Sequence, residues 1–309
     1  MSVLVVGSFI VDCVATCKRA PEAGETVVGD SYNTYLGGKG ANQAFASIRM
    51  GSKTTMVGCV GNDGFGKQFF ETLEAEGFDT SVVKVSDKYS TGVSLVTVEH
   101  SGQNRICMTP GANLDYYTED LDKLESLVAE SDIIVTQLEM RYDICSHLAK
   151  LAKKHGKKFI LNPAPAAPID DETLDGVYCI TPNETELGII INRKIETMEE
   201  YVEGAKVLLD KGCQNVIVTL GTIGSLLVNK EGHTLIPAFK VKAIDTVGAG
   251  DSFTGSLSAM LDQGRPLPEA MQIATAVAAL EVQCKGAIPA MPYRENVFKF
   301  LEEKGFKYE

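Results

Sequence analysis

Two carboxylates flank a glycine-rich turn in the stretch Asp245-Thr-Val-Gly-Ala-Gly-Asp-Ser-Phe253. Apolar residues then recur at Phe253, Leu257, Met260 and Leu261, the i, i+4, i+7, i+8 spacing of one face of an amphipathic helix, so a helix is predicted to begin near Gly248. The first N–H groups of a helix have no partner inside it. A turn of Gly248, Ala249 and Gly250 leaves them open to an anion such as a phosphate, and its small residues allow close approach. Asp251, in the first turn, directs a carboxylate at the same spot, where it can take a proton from an attacking hydroxyl. For a lone Gly-x-Gly-Asp the better reading is plainer: a first-turn acid favoured by the helix dipole, beside an ordinary turn.

A second polar cluster lies far upstream. Gly37-Gly38-Lys39-Gly40-Ala41-Asn42-Gln43-Ala44 opens a helix predicted to run to about Met50. Its glycines give a ligand access to the backbone, and Lys39 and Asn42 stand one turn apart on one face. Taken alone, the segment is as readily a glycine-rich helix entry. Gly61-Asn-Asp-Gly-Phe-Gly66-Lys67-Gln68 matches the P-loop pattern except at its end, where Gln68 replaces the Ser or Thr whose hydroxyl binds Mg²⁺. That mismatch falls on a residue with a chemical task, so the segment is read as a strand-to-helix turn.

The elements that must position these groups follow from pattern and composition. The 309 residues are 44% hydrophobic, ample for the core of an α/β domain. A formal net charge of −12, from 29 Lys+Arg against 41 Asp+Glu with no basic cluster, opposes nonspecific nucleic-acid or anionic-membrane binding and favours a small-molecule partner. No basic segment precedes the short apolar run at the N-terminus and no apolar run is long enough to span a bilayer, which predicts a cytoplasmic protein. The eight cysteines lie singly, without Cys-x-x-Cys or histidines at ligand spacing, and read as reduced core residues. Ser2 to Ser8 reads as a buried strand with Asp12 just beyond it, the strand end where open α/β sheets bind ligands. Residues 13–36 carry one or two strands outside the main sheet, and residues 90–108 carry two more on either side of Ser101-Gly102. A strand is also predicted at Thr54 to Val60. From Thr118 onward helices alternate with strands near Asp132 to Gln137, Lys158 to Asn162, Val177 to Thr181 and Asn215 to Leu220, then comes a helix from Leu267 to Glu281. That alternation implies a mostly parallel sheet with helices on both faces. Glu139, Asn183, Glu186 and the turn Thr219 to Gly224 follow predicted strands. Taken alone, Asn183 with Glu186 is better read as a plain capping box.

The two glycine-rich stretches together are far more specific than either. Asp245 to Asp251 resembles the C-terminal signature of the ribokinase-like (PfkB) sugar kinases, and Gly37-Gly38-Lys39-Gly40-Ala41-Asn42 matches the N-terminal signature residue for residue, in a resemblance that covers nearly the whole chain. It implies one doubly wound α/β domain over residues 1–309, with a small β-sheet lid from about 13–36 and 90–109 that covers the sugar and commonly forms a homodimer interface. It implies ATP-dependent phosphorylation of a sugar hydroxymethyl group, with Asp251 as base and the amides of Gly248, Ala249 and Gly250 stabilising the transferred phosphoryl group. Asp12, Gly38, Lys39, Asn42, Glu139 and Asp251 would hold the sugar, and Asn183, Thr219, Gly221, Gly224, Gly250 and Thr275 the ATP. Glu186 would act indirectly on Mg²⁺. Asp245, with mostly backbone oxygens at Val247, Glu281, Cys284 and Gly286, would hold K⁺, although Ala290 stands where relatives often carry a hydroxyl. Ribose is the first expected substrate. Ile10, where many relatives carry a sugar-contacting asparagine, makes 2-deoxyribose the competitor. A nucleoside kinase or a catalytically silent sugar-binding sensor fits the intact motifs less well.

Overall fold

Val3–Val6 is apolar at every position because both faces of its strand are covered: Val3 and Val5 pack into one apolar cluster, Leu4 and Val6 into a second on the opposite side. Ile133 and Val135 against Ile134, and Ile217 against Val216 and Val218, divide the same way. The computed structural model describes residues 2–308. In chain order, β1 (Val3–Val6) leads to β2 (Ile10–Cys17), β3 (Ser31–Gly37), α1 (Lys39–Arg49), β4 (Thr54–Val57), β5 (Cys59–Gly61), α2 (Gly64–Ala75), β6 (Lys84–Ser86), β7 (Gly92–Glu99) and β8 (Asn104–Thr109). Then follow α3 (Thr118–Asp122), α4 (Glu125–Glu130), β9 (Ile133–Thr136), α5 (Tyr142–Lys154), β10 (Lys158–Leu161), α6 (Asp171–Leu174), β11 (Cys179–Ile180), α7 (Glu184–Ile190) and α8 (Met198–Asp210). The last are β12 (Asn215–Thr219), β13 (Gly224–Asn229), β14 (Gly232–Pro237), α9 (Ala249–Asp262), α10 (Leu267–Glu281) and α11 (Arg294–Glu303).

The main sheet has the order β14-β13-β12-β11-β10-β9-β1-β4, parallel from β12 to β4 with β13 and β14 antiparallel at one edge. This is the doubly wound α/β fold read from the sequence, but the antiparallel β13–β14 edge was not part of that reading. A separate four-stranded sheet, β3-β2-β7-β8, gathers both upstream strand regions; it begins at Ile10 rather than Cys13, so Asp12 lies within β2 instead of in a loop after β1. The predicted strand Thr54 to Val60 divides at Gly58: β4 joins the main sheet, while β5 pairs with β6. The P-loop-like segment is indeed a strand-to-helix turn, with the Asp63 carboxylate capping α2 by accepting from Gly66 N–H. Among the described residues no helix is long and apolar enough to cross a membrane.

Two expectations need correction. Helix α9 is not amphipathic: every residue from Asp251 to Asp262 is buried. Its small polar side chains turn inward on the helix itself, Ser252 donating to Ala249 O, Thr254 to Gly250 O and Ser258 to Gly255 O, which satisfies them without water. All eight cysteines are free and six are buried, but Cys107 and Cys284 are exposed, so these two are not core residues.

Candidate active site

The carboxyl ends of the central strands and the starts of two helices converge on Asp251. Gly248, in the left-handed region at φ 93°, caps α9, and its carbonyl accepts from Ser252 N–H. On the other side, Gly40 lets the start of α1 press against the end of β1: a Cβ there would lie 2.3 Å from Ser8 N. These two close approaches bring Asn42 and Gln43 against Asp251, which is only 6% exposed. Asn42 Nδ2 donates to Asp251 Oδ2 at 2.9 Å and Gln43 Nε2 to Oδ1 at 3.0 Å, so both carboxylate oxygens are held as acceptors.

Behind this pair is an amide network absent from the sequence reading. Gln137 Nε2 donates to Gln43 Oε1 at 2.7 Å, Gln43 Nε2 also reaches Asn162 Oδ1 at 3.2 Å, and Asn162 Nδ2 donates to Thr181 O at 3.1 Å. The available signals were faint: Gln43 adjoins the glycine motif, and Gln137 follows β9 just before Glu139.

The other residues expected on the sugar side lie around the start of α1. Glu139 Oε2 accepts from Ser8 Oγ at 2.5 Å and from Lys39 N–H at 2.8 Å; burial pushes its carboxyl up, while the Lys39 charge and these bonds oppose that. Asp251 and Glu139 raise the Lys39 ammonium against the effect of burial, which keeps it charged. Burial also pushes Asp12 up, opposed by a hydrogen bond from Ser94. A Cβ on Gly37 would lie 3.5 Å from both Asp12 Oδ2 and Asn42 Oδ1, so these two oxygens face one space, and Asn42 Oδ1 is a buried acceptor with no partner. Gly38 is the N-cap of α1 beside them.

Across the α9 N-terminus lies a cavity of about 700 Å³ whose lining includes Asn183, Thr219, Gly221, Gly224, Gly250 and Thr275, all six residues expected at the nucleotide. Thr246 of the glycine-rich stretch also lines it, as do Phe239 and Val241, from a segment to which the sequence assigned no role. Asn183 and Glu186 do form a reciprocal capping box on α7, each side chain accepting from the other's N–H at 2.8 Å. Burial raises the Glu186 carboxyl, against the bond from Asn183 and the charge of Lys39.

Beside the Gly248 cap, Asp245 Oδ2 accepts from Gly286 N–H at 3.0 Å and Oδ1 from Val247 N–H at 3.1 Å, joining the two turns expected to hold K⁺. Cys284 N–H bonds to Glu281 O at 3.0 Å in the same turn. The Glu281 side chain is 1% exposed and neither of its oxygens has a partner; burial, with Asp245 and Asp251 nearby, pushes it up to about 9.

A carboxylate at a helix N-terminus is placed to take a proton from a hydroxyl, and N-terminal helix amides favour a phosphoryl group; of these amides, Ala249 N–H lies 3.4 Å from Thr246 O. The fold and the site thus define a phosphotransferase for a small hydroxylated compound. The chain belongs to the pfkB family of carbohydrate kinases, whose model matches residues 1–294. It is 37% identical over 298 residues to a ribokinase of Haemophilus influenzae, covering 96% of this chain and 97% of the relative. It is 35% identical over 306 residues to a deoxyribokinase of Salmonella typhi, covering 97% and 99%. The structure of Arabidopsis thaliana ribokinase complexed with ribose and ATP superposes with a TM-score of 0.93 at 33% identity, covering 97% of this chain and 98% of that one.

Proposed function

We propose that the protein transfers the γ-phosphoryl group of ATP to the 5-hydroxyl of D-ribose, giving ribose 5-phosphate. The observation that carries this reading is the position of Asp251: clamped by Asn42 and Gln43, it lies at the α9 N-terminus between the polar wall of α1 and the 700 Å³ cavity. Asp251 takes the proton of the sugar hydroxyl, and the amides of Gly248, Ala249 and Gly250 hold charge on the phosphoryl group in flight. Asp12, Gly38, Lys39, Asn42 and Glu139 bind the sugar hydroxyls, since carboxylates and an amide can each serve adjacent hydroxyls and a polar site rejects analogues that leave them unpaired. ATP occupies the cavity lined by Asn183, Thr219, Gly221, Gly224, Gly250 and Thr275. Mg²⁺ travels with the ATP phosphates and is influenced indirectly by Glu186. A K⁺ ion fits the turns joined by Asp245, with the oxygens of Val247, Glu281, Cys284 and Gly286; the orphaned Glu281 carboxylate is the observation in its favour. We place the protein in the cytoplasm, as a homodimer whose interface is the β3-β2-β7-β8 sheet. Leu95 and Ile106 expose 58% and 61% of their surface there.

One observation favours 2-deoxyribose as a second reading. Ile10 shares a face of β2 with Asp12 and is buried, yet it belongs to neither apolar core cluster, so it offers the sugar side an apolar group where a hydroxyl would need a partner. The Salmonella typhi deoxyribokinase is nearly as similar as the ribokinases. A panel of acceptors with Mg²⁺-ATP tests both readings: ribose or 2-deoxyribose is turned over far better than fructose, adenosine or a fructose phosphate. Equal or faster turnover of adenosine would overturn them.

A further inference from the structure

Glu281 is the last residue of α10, where the helix dipole is negative, and both Asp245 and Asp251 add like charge to its surroundings. It is nonetheless buried with no hydrogen bond to either oxygen. An isolated buried carboxylate is strongly disfavoured. The neutral acid does not resolve this, because its O–H and remaining oxygen would be equally unbonded. Its direction is also specific: Oε1 lies 2.9 Å from where a Cβ on Gly248 would stand, beside Ala287 and at the cap of α9. The turn after Glu281 is held to the Asp245 segment by bonds from Ile244 and Asp245 N–H to Val282 O and from Gly286 N–H to Asp245 Oδ2. The end of α10, the Asp245 carboxylate and the turn after Glu281 are thus tied together, and the orphaned Glu281 oxygens are buried beside them with like charge and no donor nearby.

We infer that the side-chain carboxylate of Glu281 is a direct ligand of the bound monovalent cation, which gives the ion two carboxylates, Asp245 and Glu281, rather than one among backbone oxygens. The inference rests on the cation site proposed above and adds to it the charge and identity of a ligand. A second carboxylate tightens cation binding, because ligand charge sets affinity for hard cations. It also ties the ion to the Gly248 cap, so the ion orders the turn that presents the phosphoryl-binding amides.

The test measures binding without turnover. The melting temperature of the full chain, free of ATP and sugar, is followed as KCl replaces tetramethylammonium chloride at constant ionic strength, for the wild type, Glu281→Gln and Glu281→Ala. The wild type should rise specifically with K⁺, and both variants should need at least about tenfold more K⁺ for half the effect. In tetramethylammonium alone, the isosteric Glu281→Gln should melt close to the wild type, since without a cation both bury an uncharged side chain with no partner. An unchanged K⁺ response in both variants would remove Glu281 as a ligand and leave the cation site standing. No K⁺-specific rise in the wild type would overturn the cation site and this inference together. A rise with Mg²⁺ or Ca²⁺ in place of K⁺, lost in Glu281→Gln, would overturn the assignment to a monovalent ion.

Discussion

Gln43 holds three partners at once: it donates to Asp251 and Asn162 and accepts from Gln137. Replacing it with Leu keeps the approximate volume but leaves those buried groups short of a bond, at a cost of about 1–3 kcal/mol for each group left unsatisfied. Asp251, then fixed by Asn42 alone, gains freedom to leave the position from which the proposed proton transfer occurs, and kcat should fall by up to about a hundredfold while sugar binding changes less. A folded Gln43→Leu protein with normal kcat would show that the network does not position the base. Residues of this kind were not legible in the sequence. Gln43, Gln137 and Asn162 are ordinary amides far apart in the chain, and only the convergence of α1 with the ends of β9 and β10 gives them a common task. Asp251, Asn42 and Glu139 were legible because they stand in or beside motifs that resemble a known family, and those motifs also led to the six residues that line the large cavity.

At the scale of elements, apolar spacing located helices well but did not show which of their polar residues are buried. Leu267–Glu281 is helical over the predicted span. In α9 the apolar spacing implies an amphipathic helix, yet Ser252, Thr254, Ser256 and Ser258 are buried too, because periodicity alone cannot show that hydroxyls are satisfied by their own backbone. The β13–β14 edge was missed for another reason: it is an antiparallel addition, which an alternation of helices and strands does not announce. Contacts between elements carry their own prediction. Arg49, the last residue of α1, donates Nη1 to the carbonyls of Ile288 and Met291 at 2.6 and 2.9 Å, pairs with Glu76 and stacks 4.7 Å from the Tyr293 ring. It thus ties the sugar-side helix to the segment that follows Gly286. Arg49→Lys cannot reproduce that planar fork. It should lower stability by about 1–3 kcal/mol in a denaturant titration, and an unchanged midpoint would mean the contact contributes nothing net.

For the whole molecule, the parallel order of the main sheet and the separate sheet follow from what the chain reveals locally: continuous apolar runs need cover on both faces, whereas the strands of residues 10–37 and 92–109 carry many exposed residues. Every residue of β8 is exposed; Cys107 pairs with Leu95 on one face and Ile106 lies on the other with Asp12, and this sheet is the proposed dimer surface. Sedimentation should therefore show a dimer that Ile106→Lys converts to monomer with weaker sugar binding; a monomeric wild type would discard that interface. The central claim is that the polar wall and the nucleotide-sized cavity meet at one base. Asp251→Asn tests it most directly, because Asn keeps the size of the side chain and removes its capacity to take a proton. With kcat, sugar Kd and melting temperature measured on one preparation, kcat should fall by on the order of 10² to 10⁴ while sugar Kd changes much less. A folded Asp251→Asn protein with near-normal kcat and a melting temperature lowered only by the loss of about 0.5–1 kcal/mol of helix-dipole stabilisation would contradict the account and leave Asp251 a structural first-turn acid.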